Sequence, residues 1–413
     1  MVTSYEGGTT AWLRARNDRT ALRMLIEQGP LTRSQLGSLT GVTKPTATQM
    51  LERLQRAGLI TLDGMVQNTR GPSAESYRVR ADWLTGVAIS VTAERVDAVL
   101  VDVAGGRHPV ATHDRGRDDR APEEIVRDAI EAACAAADAP PAAVRSVVVG
   151  VQAAVADDTD ALSLTSGLPG WPERGARNRI SGALGIDVVL ENDVNLATVA
   201  ERVAGAGVEP SSFVLLWLGF GIGVGIDLRG EIHRGSNGSA GEIGYLPVPA
   251  DIGRPDEVDL TDLLGGVAVV DLLGLDDDAD YEAGVVTISQ RPDVLNVLAD
   301  RIVLALEPVQ AVLDPAMVVL GGPTGRAGGD ALAELVAERI RAAGASDPPR
   351  ANDPPGSSDQ NRPSAQAVPL APLAPLAPLV VSSRIAENGV LVGGQHVLRA
   401  LLQEKLEAEI PAE

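Results

Sequence analysis

One glycine-rich run limits the possible folds more than any other part of this 413-residue sequence. From Ser211 to Gly235 it reads SSFVLLWLGFGIGVGIDLRGEIHRG, two apolar segments that meet at alternating glycines. Apolar segments of this kind around a glycine-rich turn predict a β-hairpin of buried strands. Glycines at the strand ends allow backbone N–H groups to face a ligand.

The remainder of the body mixes strands with helices. GVAISV and VDAVLVDVAG predict another hairpin, and VRSVVVGVQ, DVVLEND and PAMVVLGGP predict further strands. Helices are predicted at EEIVRDAIEAACAAA, from Val194 to Ala204, and from about Val392 to Glu407. This mixture implies an α/β body.

Composition excludes several classes of protein. The length suggests two or three domains. The one cysteine, Cys134, excludes an intrachain disulfide and a multi-cysteine zinc site. No apolar run approaches the roughly 18–20 residues of a membrane span, and no secretory segment is recognisable. We therefore expect a cytoplasmic protein.

Charge is distributed unevenly along the chain. Its net charge of −21 argues against a nucleic-acid partner, but residues 1–83 hold 11 Arg and Lys against 7 Asp and Glu. The remaining residues hold 24 against 49. A basic DNA-binding module on an acidic body has such an asymmetry, although scatter in an Arg-rich composition would also produce it.

Three short helices are predicted before residue 60. Asn17 is a candidate N-cap for a first helix that stops near Gly29, and Thr32 and Gln35 stand at capping-box spacing for a second. In the third, one stripe is apolar and predicts burial: Ala47, Met50, Leu51, Leu54 and Ala57. Its polar residues lie away from that stripe.

Two β segments follow, GLITLD and ESYRV, which complete a winged helix-turn-helix over residues 1–83. The third helix would enter the major groove and the wing would touch phosphate or the minor groove. The predicted DNA-binding residues are Lys44, Thr46, Thr48, Gln49, Arg53 and Arg70. A three-helix protein-docking module is the alternative, but these side chains suit base edges and phosphates better than an apolar partner.

A proline-rich stretch interrupts the body at about residues 345–378, with a repeated Pro-Leu-Ala. It predicts a disordered or polyproline insert, either a tolerated surface insertion or a partner-binding segment.

The sequence ENDVN places Asn192 and Asp193 where a predicted strand turns into a helix. Asp193 could be the base that deprotonates a sugar hydroxyl for phosphoryl transfer, or a residue that holds a sugar unchanged. Both residues are also good helix N-caps, so a structural role is a third interpretation.

Together with the glycine-rich run and AGEIGY, this turn resembles the ROK family of bacterial sugar-responsive repressors and sugar kinases. SGLPGW, VVLGGP and the C-terminal helix also match, and the N-terminal winged helix resembles the repressor branch. The resemblance implies an actin-like ATPase (sugar-kinase-like) fold with two α/β lobes. We expect an N-terminal lobe over residues 84–204 and a C-terminal lobe, with the insert, over residues 205–413.

The resemblance also implies where a sugar would bind. In the family it is held between the lobes, and Asn192, Asp193 and Glu242 stand at matching positions here. Carboxylates and an amide can hold several hydroxyls in fixed orientation. Gly167 replaces an expected Asn and Tyr245 an expected His, so the ligand differs from the usual hexoses or the site has decayed.

Both phosphate loops of the family's kinases are altered. Asp-x-Gly-Gly-Thr is matched by Ser90, Thr92, Ala93 and Glu94, which removes two glycines and the metal-facing Asp and adds a negative charge. Gly-Thr-Gly is matched by Gly-Phe-Gly, where Phe220 replaces a hydroxyl with bulk. Phosphoryl transfer depends on positioning and charge neutralisation, so Asp193 is predicted to be only the vestigial base position.

The family's zinc site is lost by the same comparison. Tyr245 stands at the His position and no cysteine follows it, so neither metal nor cofactor is expected.

Three functions remain open. The first is a repressor whose DNA affinity is set by a sugar or sugar derivative, acting as a homodimer or higher oligomer. The second is an active sugar kinase with a DNA-binding domain, which rests on Asp193. The third is a ligand-blind DNA-binding protein in which the body only dimerises, and it rests on Gly167 and Tyr245.

Overall fold

The computed structural model describes eight stretches of the chain. They are residues 10–67, 73–115, 119–165, 167–248, 259–276, 281–345, 377–386 and 388–410. The described residues divide into two units. Unit 1 takes those within Met1–Ala200, Ser236–Ser239 and Glu387–Glu413, and unit 2 those within Glu201–Gly235 and Ala240–Ala386.

The N-terminal module of unit 1 contains three helices and a small sheet. Its elements are α1 (Thr10–Gln28), β1 (Leu31–Thr32), α2 (Arg33–Thr40), α3 (Lys44–Arg56), β2 (Ile60–Val66) and β3 (Ala74–Val79). The strands are ordered β1-β3-β2 and all pairs are antiparallel. This is the winged helix-turn-helix that the sequence predicts, with β1 as an additional strand.

Local signals in the module are confirmed with one exception. Thr32 and Gln35 form the predicted capping box of α2, and α3 buries its apolar stripe through Leu54. The prediction that Asn17 caps the first helix is wrong, because α1 begins at Thr10. Most of the residues just before Asn17 (TAWLRAR) are good helix formers, so the helix continues upstream of the polar residue.

The larger part of unit 1 is a five-stranded sheet. Its strands are β4 (Thr85–Val91), β5 (Arg95–Asp102), β6 (Val110–Asp114), β7 (Val144–Val151) and β10 (Asp187–Asn192). Their order is β10-β7-β4-β5-β6, antiparallel through β4-β5-β6 and parallel from β4 to β7 and β10. The other elements are α4 (Pro122–Ala136), β8 (Ala154–Ala156), β9 (Ala161–Ser163), α5 (Ala176–Leu184), α12 (Gly389–Ala408) and, as far as Ala200, α6 (Asp193–Ala204).

The two faces of this sheet differ in side-chain size. One face is built from large aliphatic residues and packs with α4 and α5 in one core. The other carries small residues, and a Cβ added at Gly86 would lie 2.8 Å from Leu398 of α12. A Cβ at Gly393 of α12 would lie 1.9 Å from the Leu196 carbonyl oxygen of α6. Small residues therefore let α12 lie directly against the sheet and α6.

The position of α12 differs from the expected domain boundaries. We expected residues 205–413 to form the C-terminal lobe, but residues 388–410 group with unit 1. Asn388 explains the local start, since its Oδ1 accepts from Val390 N and Leu391 N while its Nδ2 donates to Asp97 Oδ2 at 3.0 Å. The helix therefore begins earlier than the predicted Val392, tied to β5.

Unit 2 contains a sheet with the same strand arrangement. Its strands are β11 (Ser212–Leu218), β12 (Ile222–Leu228), β13 (Glu231–Ile232), β14 (Met317–Gly321) and β15 (Leu379–Ser382), ordered β13-β12-β11-β14-β15. Again three strands are antiparallel and two are added in parallel. The helices are α7 (Leu260–Leu264), α8 (Gly266–Leu273), α9 (Tyr281–Val285), α10 (Pro292–Leu313) and α11 (Gly322–Ala345).

The glycine-rich run is the β11–β12 hairpin, as predicted. The proline-rich insert lies almost wholly outside the described residues, which omit 346–376. No helix among the described residues is long and apolar enough to span a membrane.

Candidate functional site

The turn from β10 into α6 holds Asn192 and Asp193. The Asn192 Oδ1 accepts from Asn195 N at 3.0 Å, and its Nδ2 donates to the Ala153 carbonyl at 3.1 Å. The Asp193 Oδ1 accepts from Val194 N at 2.9 Å. Asn192 therefore caps α6 and links it to the bend between β7 and β8, as its structural interpretation predicts, and its ligand role stays a prediction.

A buried carboxylate supports the same turn from behind. The Glu191 Oε1 accepts from Asn192 N at 3.1 Å and from Asn195 Nδ2 at 2.9 Å. Because Glu191 and Asn195 are both buried, this network fixes the backbone on which Asp193 stands. Asp193 itself is partly exposed at the first turn of α6, where the helix dipole favours a carboxylate.

The segment Gly241–Tyr245 of unit 2 is held by two close glycine contacts with β12. A Cβ on Gly241 would lie 1.9 Å from the Val224 carbonyl oxygen, and one on Gly244 2.7 Å from that of Ile222. Gly241 also has a φ of +91°, which disfavours other residues. Glu242 stands between these glycines, so its backbone position is fixed.

Glu242 is a half-buried carboxylate without a hydrogen bond or ion pair to another described residue. Burial raises the pKa of its carboxyl group. Burial also raises the pKa of the Tyr245 phenol, with the negative charges of Glu242 and Asp259 adding to it. Tyr245 is 53% exposed, so unit 2 presents a phenol near a half-buried carboxylate.

Gly167 lies in the loop after β9, in unit 1. A Cβ there would lie 3.2 Å from Gln152 Oε1, so with a larger residue that side chain would have to move by a few tenths of an ångström. Arg115 holds the loop: its Nη1 donates to the Gly167 carbonyl at 3.4 Å and its Nη2 to the Pro169 carbonyl at 3.0 Å. The structure thus places Gly167, Asn192 and Asp193 in unit 1, and Glu242 and Tyr245 in unit 2.

The β4–β5 turn is closed by its own side chains. The Thr92 Oγ1 donates to the Arg95 carbonyl and accepts from Arg95 N, both at 3.1 Å. Ser90 is buried at the end of β4, whereas Ala93 and Glu94 are exposed at the tip of the turn. The Thr92 hydroxyl is therefore occupied within the hairpin.

The β11–β12 turn is closed by an aromatic residue. The Phe220 carbonyl accepts from Gly266 N at 3.0 Å, at the start of α8. The Phe220 ring lies against Gly266 and meets Tyr281 edge to face, with centroids 6.2 Å apart. Phe220 thus covers the first backbone N–H of α8 and fills the space beside it.

No three His, Cys, Asp or Glu side chains among the described residues are grouped closely enough to hold a metal ion.

The outward face of α3 carries most of the predicted DNA-binding residues. Lys44 and Gln49 are exposed, and Thr46 and Thr48 are half-buried. Two of the hydroxyls are turned toward the helix, Thr48 to the Lys44 carbonyl at 3.0 Å and Thr46 to Thr43 Oγ1 at 2.9 Å. The start of α3 therefore presents an amine and an amide outward.

The other two predicted DNA-binding residues are Arg53 and Arg70. Arg53 forms a two-bond ion pair with Asp18 of α1, Nε to Oδ2 at 2.8 Å and Nη2 to Oδ1 at 2.6 Å. Asp18 is only 2% exposed, and this pairing raises the pKa of the Arg53 guanidinium. Arg53 thus joins α3 to α1, and its role in DNA contact stays a prediction. Arg70 lies outside the described residues.

Sequence reasoning missed Arg115 as well as the partner of Arg53. Arg115 is 6% exposed and bridges the Thr92 carbonyl, at 3.1 Å, to the Gly167 loop. No strand was predicted before Arg115, and its position in a charged run (HDRGRDDR) is equally typical of a solvent-exposed residue.

Comparison with known proteins gives two family matches. The model of the ROK family matches residues 87–351, and the model of the MarR family matches residues 16–64. The first match covers most of the described body and the second covers most of the N-terminal module.

Among curated proteins, the xylose repressor of Bacillus subtilis is 22% identical over 237 residues, 56% of this chain and 60% of the repressor. The chain therefore matches less than two thirds of that relative. A glucokinase of Halalkalibacterium halodurans is 28% identical over 197 residues, 42% of this chain and 59% of the enzyme.

Among solved structures, a ROK family transcriptional regulator, a homologue of the E. coli MLC protein, aligns with a TM-score of 0.65. It is 17% identical and the alignment covers 96% of this chain and 99% of the regulator. The alignment supports the fold over the winged helix and the body together.

Proposed function

This chain belongs to the ROK family, and we propose that it is a DNA-binding transcriptional repressor whose affinity for its operator responds to a sugar or sugar derivative. The observation that carries the proposal is the start of α3, where Lys44 and Gln49 point away from the buried stripe. An amide can read adenine and an amine can contact guanine or phosphate in the major groove. The MarR-type module supplies the frame for that helix.

DNA binding is tested by fluorescence anisotropy with duplexes from the region upstream of the protein's own gene. Gln49→Ala is expected to weaken specific binding by about 1–3 kcal/mol, since one bidentate base contact is lost. Gln55→Ala is the matched control, an exposed glutamine near the other end of the same helix. No preference for any upstream duplex over random DNA contradicts the proposal.

Glu242 supports sugar binding in unit 2. A half-buried carboxylate without a protein donor is costly, and a sugar hydroxyl that donates to it offsets that cost. Asp193, on its fixed turn in unit 1, is proposed as a hydroxyl acceptor, and Tyr245 as a contact beside Glu242. Asn192 and Gly167 contribute through the shape of the backbone.

Thermal-shift titration with D-xylose and D-glucose tests this part. A sugar at 100 times its Kd is expected to add about 2.7 kcal/mol of stability. Glu242→Gln should abolish the shift, whereas Glu231→Gln, an exposed carboxylate on β13, should keep it. Asp193→Asn should change the sugar response of DNA binding and leave DNA binding without sugar intact.

Phosphoryl transfer is not part of the proposed function. Thr92 is engaged in its own hairpin, Glu94 adds negative charge at its tip, and Phe220 covers the start of α8. These features deprive a triphosphate of backbone donors and of charge neutralisation. ATP consumption with a panel of hexoses should equal that of a sugar-free control, and any sugar-dependent turnover contradicts this.

A ligand-blind homodimeric regulator is the second candidate. It is favoured by the Asn192 amide, whose two ends are engaged by Asn195 N and the Ala153 carbonyl. Both candidates predict a dimer, because helix-turn-helix proteins bind two half-sites, and light scattering measures it. A carbohydrate library that produces no thermal shift favours the ligand-blind form.

A further inference from the structure

Helix α1 carries a stripe of side chains that includes three arginines. Trp12, Arg16, Arg19 and Arg23 recur at i, i+4, i+7 and i+11, the spacing that aligns side chains on one face of a helix. All four are exposed. We call this set the α1 stripe. Arg14 is also exposed, but it aligns with buried Asp18, Ala21 and Leu25 on a different face.

Along most of the stripe, the arginine charges are not neutralised by a carboxylate, although a ring contact orders one of them. The Arg16 guanidinium lies 4.9 Å from the centre of the Trp12 ring, a cation–π contact that leaves its charge available. Neither Arg16 nor Arg19 forms an ion pair with any residue that the structure describes. On a chain with a net charge of −21, such a stripe is a local positive surface.

The stripe belongs to the helix that borders the predicted DNA-binding face. Thr46, Gln49 and Arg53 share one flank of α3 by their i, i+3, i+7 spacing, and Arg53 is bound to Asp18 of α1. Helix α1 is therefore the neighbour of α3 on that flank. A duplex docked on α3 extends past its binding helix on both sides, and on this flank α1 is the adjoining helix.

The last arginine of the stripe has a carboxylate partner from the other end of the chain. Arg23 Nε donates to Glu407 Oε1 at 2.5 Å and its Nη2 donates to Oε2 at 2.7 Å. This contact with α12 raises the pKa of the Arg23 guanidinium. A two-bond arginine–carboxylate pair has the same geometry as an arginine–phosphate pair.

We infer that the α1 stripe is a second DNA-binding surface, which contacts the phosphate backbone beside the site read by α3, and that Glu407 occupies Arg23 in place of a phosphate. This inference rests on the proposed DNA-binding function. Arg16 and Arg19 bind phosphate directly, and Arg23 does so only after it leaves Glu407. Helix α12 thereby keeps Arg23 from contacting phosphate.

The salt dependence of DNA binding tests the stripe. Kd for a 30-bp random duplex and for an upstream duplex is measured by anisotropy from low to moderate NaCl with the full chain. Arg16→Gln/Arg19→Gln should lower the slope of log K against log salt by about 1.8, at about 0.9 per lost phosphate contact. Arg14→Gln, a matched loss of charge on another face of the helix, should leave the slope unchanged.

Release of Arg23 is tested by Glu407→Gln. Removal of the competing carboxylate charge should tighten binding several-fold and steepen the slope by about 0.9. Glu404→Gln is the control, an exposed glutamate on the same helix with the same change of net charge. Circular dichroism and melting temperature check that each variant keeps its fold.

The outcomes separate this inference from the proposed function. If the wild type binds no duplex at all, both are overturned. If the wild type binds but Arg16→Gln/Arg19→Gln keeps its slope, the stripe is not a phosphate surface and only the inference fails. An unchanged slope together with lost binding to phosphatidylglycerol vesicles would assign the stripe to lipid. If Glu407→Gln behaves as Glu404→Gln does, Glu407 does not compete with phosphate and that part is overturned.

Discussion

The β4–β5 and β11–β12 turns occupy the same place in two sheets of the same strand order, yet they are closed by different means. Thr92 closes the first through its hydroxyl, which bonds to both backbone groups of Arg95. Phe220 closes the second through its carbonyl and ring, which contact Gly266 and Tyr281. The first turn is secured within its own hairpin, and the second by other elements of its unit.

This difference shows two physical ways to close a hairpin turn so that its backbone N–H groups no longer face a ligand. Polar closure depends on a few hydrogen bonds, each worth about 0.5–1.5 kcal/mol. Closure by packing depends on close contact with neighbouring backbone, where one added carbon is costly. The β11–β12 turn should therefore be the more sensitive to substitution, and its neighbours should matter more than its own tip.

The largest effect is expected for Gly265→Ala. The added Cβ would lie 2.5 Å from the Thr261 carbonyl oxygen and 2.8 Å from that of Phe220, so backbone must shift. We expect about 2–3 kcal/mol of lost stability in urea unfolding followed by circular dichroism. Gly221→Ala is the matched control in the turn itself, since nothing lies within 4 Å of its Cβ position. Equal stability of the two variants would break the comparison.

Tyr281→Phe should have the next largest effect. The Tyr281 hydroxyl bonds to Thr324 Oγ1 at 2.6 Å, and both residues are buried. The variant leaves the Thr324 hydroxyl without this partner, which should cost about 1–2 kcal/mol in the same urea experiment. A neutral result would mean that the Phe220–Tyr281 ring contact alone supports the turn.

The same tyrosine predicts a loss of stability in alkali. Burial raises the pKa of Tyr281 to about 12, whereas an unfolded tyrosine titrates near 10. As the pH rises, the unfolded chain loses its phenol proton first, so the folded state is progressively disfavoured between about pH 10 and 12. Urea midpoints measured across this window should fall less steeply for Tyr281→Phe than for the wild type.

Thr92→Val should cost about 1 kcal/mol, because the β4–β5 turn loses the hydroxyl that bonds to Arg95 N and its carbonyl. Thr92→Ser keeps the hydroxyl and should remain close to the wild type. Urea midpoints of the two variants give the comparison, and a Thr92→Ser loss as large as that of Thr92→Val would assign the effect to the missing methyl group.

Phe220→Ala should have the smallest effect, below about 1 kcal/mol. The ring is 56% exposed and its carbonyl bond to Gly266 N survives the substitution. The urea midpoint should therefore move less than for Thr92→Val. A larger loss would show that the ring, rather than the backbone, closes this turn.

Periodicity and capping signals predicted the parts of the fold that depend on neighbouring residues. The stripe of α3, the capping box at Thr32 and Gln35, and the β11–β12 hairpin are all local patterns, and all are confirmed. The prediction for Asn17 was wrong because a polar residue within a run of good helix formers resembles an N-cap.

Such local signals do not predict contacts between residues that are far apart in the sequence. Nothing in the sequence near Arg53 or Glu407 indicates that Asp18 and Arg23 are their partners. The candidate site shows the same limit: the resemblance supplied Asn192 and Glu242, but only the structure distinguishes a capping amide from a half-buried carboxylate with no protein donor.

The placement of α12 has a consequence for synthesis of the chain on the ribosome. The first sheet contains residues 85–192, yet the helix that covers its small-residue face begins at Gly389. At about 5–20 residues per second, roughly 10–40 s separate emergence of the last strand from emergence of that helix. Throughout that delay the face of the nascent sheet that α12 later covers stays open, and its apolar side chains, such as Ala88 and Val148, are accessible to a chaperone.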